Sequence, residues 1–303
     1  MRKLHNRSFG IAGAFDYYIP DFMGVLKLMI MFLIGFVVAE VVGVVLTFAC
    51  GQDFLMTYGQ TIMYPLMFIP AIIYARRKSD ANSLFESGRA LDSRNFGKTG
   101  GFLAAVFAVV GIISLAFLCD PLTKLLPEMS DIWKQAMEKL TNGPLWITLL
   151  NVSIFAPLFE EWLLRGTVLR GLLQKTKPIW AIVISSALFA LIHMNIWQAL
   201  PAFIIGCLFG YVYFKTGSLK LTMLMHCVNN TISVVFSRID AFEDADTFMD
   251  VIPSPAPYWI IFAAMAILLV LVLLRFKAIP LNEPTGNCDK VEPTTTEFAT
   301  NQN

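Results

Sequence analysis

Long apolar runs recur along the chain, separated by charged or turn-forming stretches. They lie near 22–49, 58–75, 101–119, 145–174, 178–195, 198–214, 219–237 and 257–276. A helix rises 1.5 Å per residue, so about 20 apolar residues cross the hydrocarbon core of a bilayer. The pattern predicts an all-α fold, a polytopic transmembrane helix bundle of about eight spans. The fourth run is longer than a bilayer needs. The first is too long for a signal-peptide core and reads as a retained span. Segment 120–144 mixes Leu122, Leu125, Leu126, Ile132, Trp133, Met137 and Leu140 with charges, the composition of an amphipathic interfacial helix. The expected organisation is 1–144 (three spans plus an extracytoplasmic segment), 145–237 (the core, spans four to seven) and 238–281 (the last span). A polar tail, 282–303, is rich in Thr, Asn, Pro and Glu and is expected to be disordered.

Loop charge then orients this bundle. Arg2, Lys3 and Arg7, the cluster from Arg76 to Lys98, Arg170, Lys175, Lys177, Lys215, Lys220, Arg275 and Lys277 all fall on one side of eight spans. The acidic stretch from Asp240 to Asp250 falls on the other. The positive-inside rule predicts both termini in the cytoplasm. Composition agrees with a membrane protein, being 56% hydrophobic and 15% charged, against about 25% charged for average chains. No basic stripe with interleaved aromatics suggests nucleic acid. Cys50, Cys119, Cys207, Cys227 and Cys288 are scattered and form no Cys-x-x-Cys pair, which speaks against a disulfide framework or zinc knuckle. Gly206 and Gly210 form a small-xxx-small pattern, the mark of tight helix packing.

The chemistry concentrates in the core. Glu160, Glu161 and Arg165 interrupt the fourth run, where charge costs roughly 2.5–3.5 kcal/mol per residue on insertion scales. Glu161 and Arg165 are four apart with the acid first, the favourable order for a pair. Glu160 points elsewhere on the helix and has no local partner, which suits a general base. Phe189 and His193 share a face of the fifth run, and His226 and Asn230 share a face of the seventh. Glu160 lies 14 residues before Gln174 and His193 lies 14 after Ile179, so both sit at about the same depth, roughly 21 Å from the turn between these spans. A structural ion-pair knot is the competing reading of the charged trio, and helix-to-helix hydrogen bonding that of the histidines.

Glu-Glu-x-x-x-Arg, Phe-x-x-x-His and His-x-x-x-Asn, in this order, resemble the CPBP family of intramembrane proteases. That family includes the Rce-type CAAX prenyl endopeptidases and bacterial Abi or bacteriocin-immunity proteins. The resemblance covers roughly 145–236 and matches at Glu160, Glu161, Arg165, Phe189, His193, His226 and Asn230. It implies peptide-bond hydrolysis in a membrane-embedded cavity open to the cytoplasm. Glu160 is then the base, with His193 helping to hold the water. His226 and Asn230 serve as oxyanion donors, and Arg165 fixes Glu161 and a substrate carboxylate. The family is often labelled metalloprotease, and Glu160, His193 and His226 also form a sufficient zinc ligand set. The route without tightly bound metal is preferred, although no His-Glu-x-x-His spacing chooses between them.

Expected partners are membrane lipids and a protein or peptide substrate, lipidated in the family's eukaryotic paradigm. Compact size and the absence of targeting signals point to a bacterial cytoplasmic membrane. Two alternatives belong to other classes: a proton-coupled transporter, and a non-catalytic immunity or partner-binding protein. Glu40, alone in the first run, reads as a residue near the outer interface.

Overall fold

The structure is a computed structural model that describes residues 11–83, 88–135, 143–239, 242, 245 and 247–281. Arg2, Lys3, Arg7, Cys288, Met137, Leu140, most of the acidic stretch after Ile239 and the tail 282–303 lie outside the described residues. Eight long helices follow one another: α1 (Phe22–Cys50), α2 (Gln60–Asn82), α3 (Gly101–Cys119), α4 (Leu145–Leu172), α5 (Pro178–Leu191), α6 (Ile196–Thr216), α7 (Leu219–Phe236) and α8 (Pro255–Lys277). They coincide with the eight apolar runs, and no strand occurs among the described residues. The fold is an all-α bundle of an integral membrane protein.

Among the described residues, five helices are long and apolar enough to cross a membrane: α1, α3 with the turn that extends it to Leu125, α4, α6 and α8. The other three depart for visible reasons. α2 contains Pro65 and Pro70 and carries the charged Arg76, Arg77 and Lys78 near its end, α7 carries His226, Asn229 and Asn230, and α5 has only 14 residues.

Local chemistry sets the helix ends. The Asp21 carboxylate accepts from the Gly24 amide at 2.7 Å and starts α1; Gly51, at φ 88°, stops it. Pro178 occupies the first turn of α5, where no amide donor is needed. The Asn195 side chain accepts from the Gln198 amide at 2.8 Å, so α6 starts at Ile196. Gly217, at φ 63°, and the Ser218 cap separate α6 from α7.

Two sequence expectations need correction. The fifth span was placed at 178–195, yet α5 ends at Leu191 and the chain reverses through Met194 at φ 54°. His193 therefore sits on a turn rather than within a span. Segment 120–144 is not one interfacial helix over its described part. Residues Asp120–Leu125 form a 3-10 turn continuing α3, and residues 131–135 a short helix. The Trp133 ring packs on Trp197 at 6.3 Å, and the Trp197 indole donates to the Pro127 carbonyl at 2.8 Å.

The excess length of α4 follows from its position. Every residue from Glu160 to Leu172 is buried, so the second half of this helix runs through protein, while Leu145, Trp146, Ile154 and Leu158 in its first half are exposed. One core gathers Leu163, Leu164, Leu169 and Phe68; a second gathers Ile112, Phe209, Met225 and Phe276 on the α3–α7–α8 side. Close contacts rely on small residues, as expected between membrane helices. Gly210 meets Ile182 where α6 packs on α5. Glu40 is exposed on α1.

The tightest helix contact is between α1 and α2, where a Cβ added at Gly35 would lie 2.0 Å from the Met67 carbonyl oxygen. Gly35→Leu is therefore expected to destabilise the protein by about 1–3 kcal/mol. Val37→Ala, on the exposed side of α1, should leave the thermal midpoint in detergent unchanged. Equal midpoints for wild type and Gly35→Leu would show that α1 and α2 do not pack this closely.

Candidate active site

The buried charges of α4 lie where its hydrogen bonding changes register. After Glu161 the helix widens into a π-helical stretch, Trp162–Leu169, and an earlier one spans Leu149–Phe155. Such widening often accompanies functional sites because it re-aims side chains. Arg165 Nη1 donates to Glu161 Oε1 at 2.8 Å, with both side chains fully buried. Arg165 Nη2 donates to the Gly206 carbonyl at 3.0 Å, and the guanidinium lies over the Phe189 ring at 4.5 Å and the Phe209 ring at 5.2 Å. A Cβ at Gly206 would come within 3.0 Å of that nitrogen, so a glycine there lets α6 approach. Enclosed this way, Arg165 holds Glu161; it has no access to a substrate carboxylate, the second role expected of it.

His226 joins the two acids. Its Nδ1 lies 3.1 Å from Glu161 Oε1, and its Nε2 lies 3.8 Å from Glu160 Oε2. Because the paired Glu161 carboxylate accepts, the imidazole proton sits on Nδ1. Glu160 is held from a distant part of the chain: the Tyr64 hydroxyl on α2 donates to Glu160 Oε1. Its other oxygen, Oε2, has no hydrogen-bond partner among the described residues. One carboxylate is thus locked in an ion pair and its neighbour is half committed.

His193 stands apart. Its Nδ1 donates to the Phe189 carbonyl at 2.8 Å, leaving the Nε2 lone pair free. The Phe189 ring lies edge-on to both imidazoles, 5.1 Å from His193 and 5.4 Å from His226. Asn230 is one turn beyond His226 and donates to the Val152 carbonyl at 2.8 Å. Val152 belongs to the first π-helical stretch of α4. Asn230 Oδ1 accepts from Asn229 at 3.2 Å, and one amide hydrogen remains uncommitted.

The structure thus gathers Glu160, Glu161, Arg165 and His226 into one network, with His193 and Asn230 at its margins. Tyr64 was not singled out in the sequence, because no local spacing links a tyrosine on α2 to an acid 96 residues later. The zinc set Glu160, His193 and His226 is not brought together: among the described residues no three His, Cys, Asp or Glu side chains could hold a metal ion. The physical reason is that His193 is turned onto its own helix end and His226 onto Glu161. Two cavities, of about 340 and 720 Å³, open at the charged rim, and none of the network side chains lines either.

Residues 142–232, from just before α4 into α7, match the family model of the Rce1-like type II CAAX prenyl endopeptidases. The resemblance expected from the three motifs is shown over this stretch, which contains all of them. Among curated proteins, the chain is 29% identical over 83 residues to YdiL of Bacillus subtilis (strain 168), a candidate membrane peptidase by its name; this covers 27% of the chain and 34% of that protein. It is also 30% identical over 97 residues to an uncharacterized 24.3 kDa protein of Escherichia coli, covering 30% of the chain and 44% of that protein. The chain therefore spans between a third and a half of the length of these relatives. No solved structure matches it significantly.

Burial of the Arg165 charge makes Glu161 the structural member of the acid pair. Glu161→Ala strands a buried cation and is expected to cost about 3–5 kcal/mol, whereas Tyr64→Phe removes one hydrogen bond, worth about 1 kcal/mol. Thermal unfolding of the purified variants measures both. The reverse order of destabilisation would contradict the assignment of Glu161.

Proposed function

We propose that the protein is an intramembrane endopeptidase that hydrolyses a peptide bond with a water activated by Glu160. The observation that carries this reading is the half-committed Glu160 carboxylate, with Oε1 held by Tyr64 and Oε2 unpartnered beside His226. The match to Rce1-like endopeptidases over the same helices supports it.

Amide hydrolysis needs a base for water, a site for the oxyanion and a proton for the leaving amine. Glu160 Oε2 takes the proton from water, and the oxygen adds to the carbonyl carbon. The same carboxyl then returns the proton to the departing nitrogen, the double duty of a single general acid–base. His193, with its free Nε2, holds the water from the α5–α6 turn. The oxyanion receives the remaining Asn230 amide hydrogen, while His226, with Nδ1–H committed to Glu161, positions the acid pair rather than donating to the oxyanion. No step is routed through a metal. The substrate is a protein or peptide segment entering from the membrane, with a lipid-modified chain end as the substrate class suggested by the family. The proposed setting is a bacterial cytoplasmic membrane with the charged rim and both termini inside.

Turnover of lipidated and unmodified peptides by purified protein in liposomes tests the mechanism. Glu160→Gln should lower kcat by about 10²–10⁴-fold while the protein stays folded. Asn230→Ala should lower kcat by about a hundredfold with KM little changed, because charge grows on the oxyanion only in the transition state. Near-wild-type turnover by Glu160→Gln would refute the role of the base. A rise in KM alone for Asn230→Ala would mean that it positions substrate.

Orientation has its own check. In a variant lacking native cysteines, Ala90→Cys should react with a membrane-impermeant thiol reagent only after the cells are opened. Labelling in intact cells would invert the topology.

A further inference from the structure

The larger cavity at the charged rim, about 720 Å³, lies between the start of α1, the end of α2 and the α4–α5 turn. Lys27, Lys78, Arg89 and Lys175 line it, and Asp21 is its only carboxylate among the described residues. All four cations are exposed, and none forms an ion pair among the described residues. Asp21 is already occupied as the cap of α1. Among the described residues, four positive side chains thus converge on one concavity with a net excess of positive charge.

Part of its wall is braced from α4. Arg170 is buried on α4 and donates to the Arg89, Phe15 and Tyr18 carbonyls at 2.7, 2.8 and 2.8 Å. This bracing fixes the backbone of two lining residues, Tyr18 and Arg89, relative to α4. The Tyr18 hydroxyl is tied in turn to the Gly24 carbonyl of α1 at 3.1 Å. Arg170 itself lines the neighbouring cavity of about 340 Å³ rather than this one, so its part here is to brace the backbone of Tyr18 and Arg89.

The mouth also has an apolar side. Met23 lines the cavity, and Phe22, Leu26 and Ile30 are exposed at successive turns of the same helix face. A cationic pocket continuous with a lipid-facing stripe fits a ligand with an anionic head and hydrocarbon tails. Basic pockets between helices at the membrane surface take phosphate headgroups for this reason.

We infer that this cavity is a binding site for the phosphate headgroup of an anionic membrane phospholipid, whose acyl chains lie along the exposed face of α1. The site is separate from the Glu160 network and does not depend on the proposed peptidase activity. Lys27, Lys78 and Lys175 supply mobile charges that snorkel to the phosphate, and Arg89 offers a planar fork for two of its oxygens.

Native mass spectrometry of the full chain, released from nanodiscs of phosphatidylcholine with or without phosphatidylglycerol, tests this. The wild type should retain phosphatidylglycerol in preference to phosphatidylcholine. Each removed charge should weaken retention by about fivefold, and Lys27→Gln, Lys78→Gln and Lys175→Gln together by about a hundredfold. Lys98→Gln with Lys277→Gln, on the same rim but outside the cavity, should change nothing. Undiminished retention by the triple variant would overturn the site. A photoactivatable phosphatidylglycerol on the wild type guards against a misfolded variant: its cross-links should map to the start of α1, the end of α2 and the α4–α5 turn. Cross-links elsewhere would overturn the proposal. In a final arm, inorganic phosphate alone at millimolar concentration should not suppress cross-linking. Full suppression would identify the ligand as a soluble phosphate and overturn the lipid assignment.

Discussion

The ion pair of Glu161 and Arg165 is the constraint on which the rest of the site depends. Two fully buried charges in the middle of a membrane bundle persist only when each finds compensation. The compensation here comes from three other helices. Gly206 on α6 supplies a carbonyl, Phe189 on α5 and Phe209 on α6 supply ring faces, and His226 on α7 approaches the acid. Satisfying one charge pair therefore draws α4, α5, α6 and α7 to one point. Glu160, the next residue on α4, is carried into the same enclosure with α2 supplying its partner. The pair is thus an organising element, and Glu160, the base proposed above, is its neighbour.

Much of this was legible in the sequence because it depends on short spacings. The apolar runs gave the eight helices, and the four-residue step from Glu161 to Arg165 gave the ion pair. The four-residue steps on α5 and α7 placed Phe189 beside His193 and Asn230 beyond His226. What escaped depends on contacts that no local pattern encodes. Tyr64 reaches Glu160 across 96 residues. The tight turn at Met194 lies inside an apolar stretch that reads as continuous helix. Arg170 looked like one more cationic loop residue, yet it is buried and clamps three backbone carbonyls. The alternative zinc set of Glu160, His193 and His226 stays dispersed for a related reason: hydrogen bonding decides where an imidazole points, and helix register alone does not.

The two π-helical stretches of α4 connect these observations. A widened turn frees carbonyls from the regular ladder. The Val152 carbonyl of the first stretch is taken up by Asn230, and the Trp162 carbonyl at the start of the second by the Thr167 hydroxyl at 3.0 Å. The irregularity therefore costs few unmet hydrogen bonds while it rotates the acid pair relative to the rest of the helix. It also ties α4 to α7 at a second point, below the ion pair.

The brevity of α5 has a consequence for the surrounding lipid. Fourteen residues reach about 21 Å, well short of a hydrocarbon layer about 30 Å thick. A bilayer meeting so short a segment thins or admits solvent at its end, since a turn with polar backbone cannot be left in hydrocarbon. The turn in question carries His193 and Asn195, and Gln198 follows in the first turn of α6, so polar side chains stand at that depth. Thinning of that kind would bring the membrane surface toward the Phe189 ring, which lies edge-on to both imidazoles. Hydrophobic mismatch, a property of helix length alone, would then carry water to a place the bulk phase does not otherwise reach.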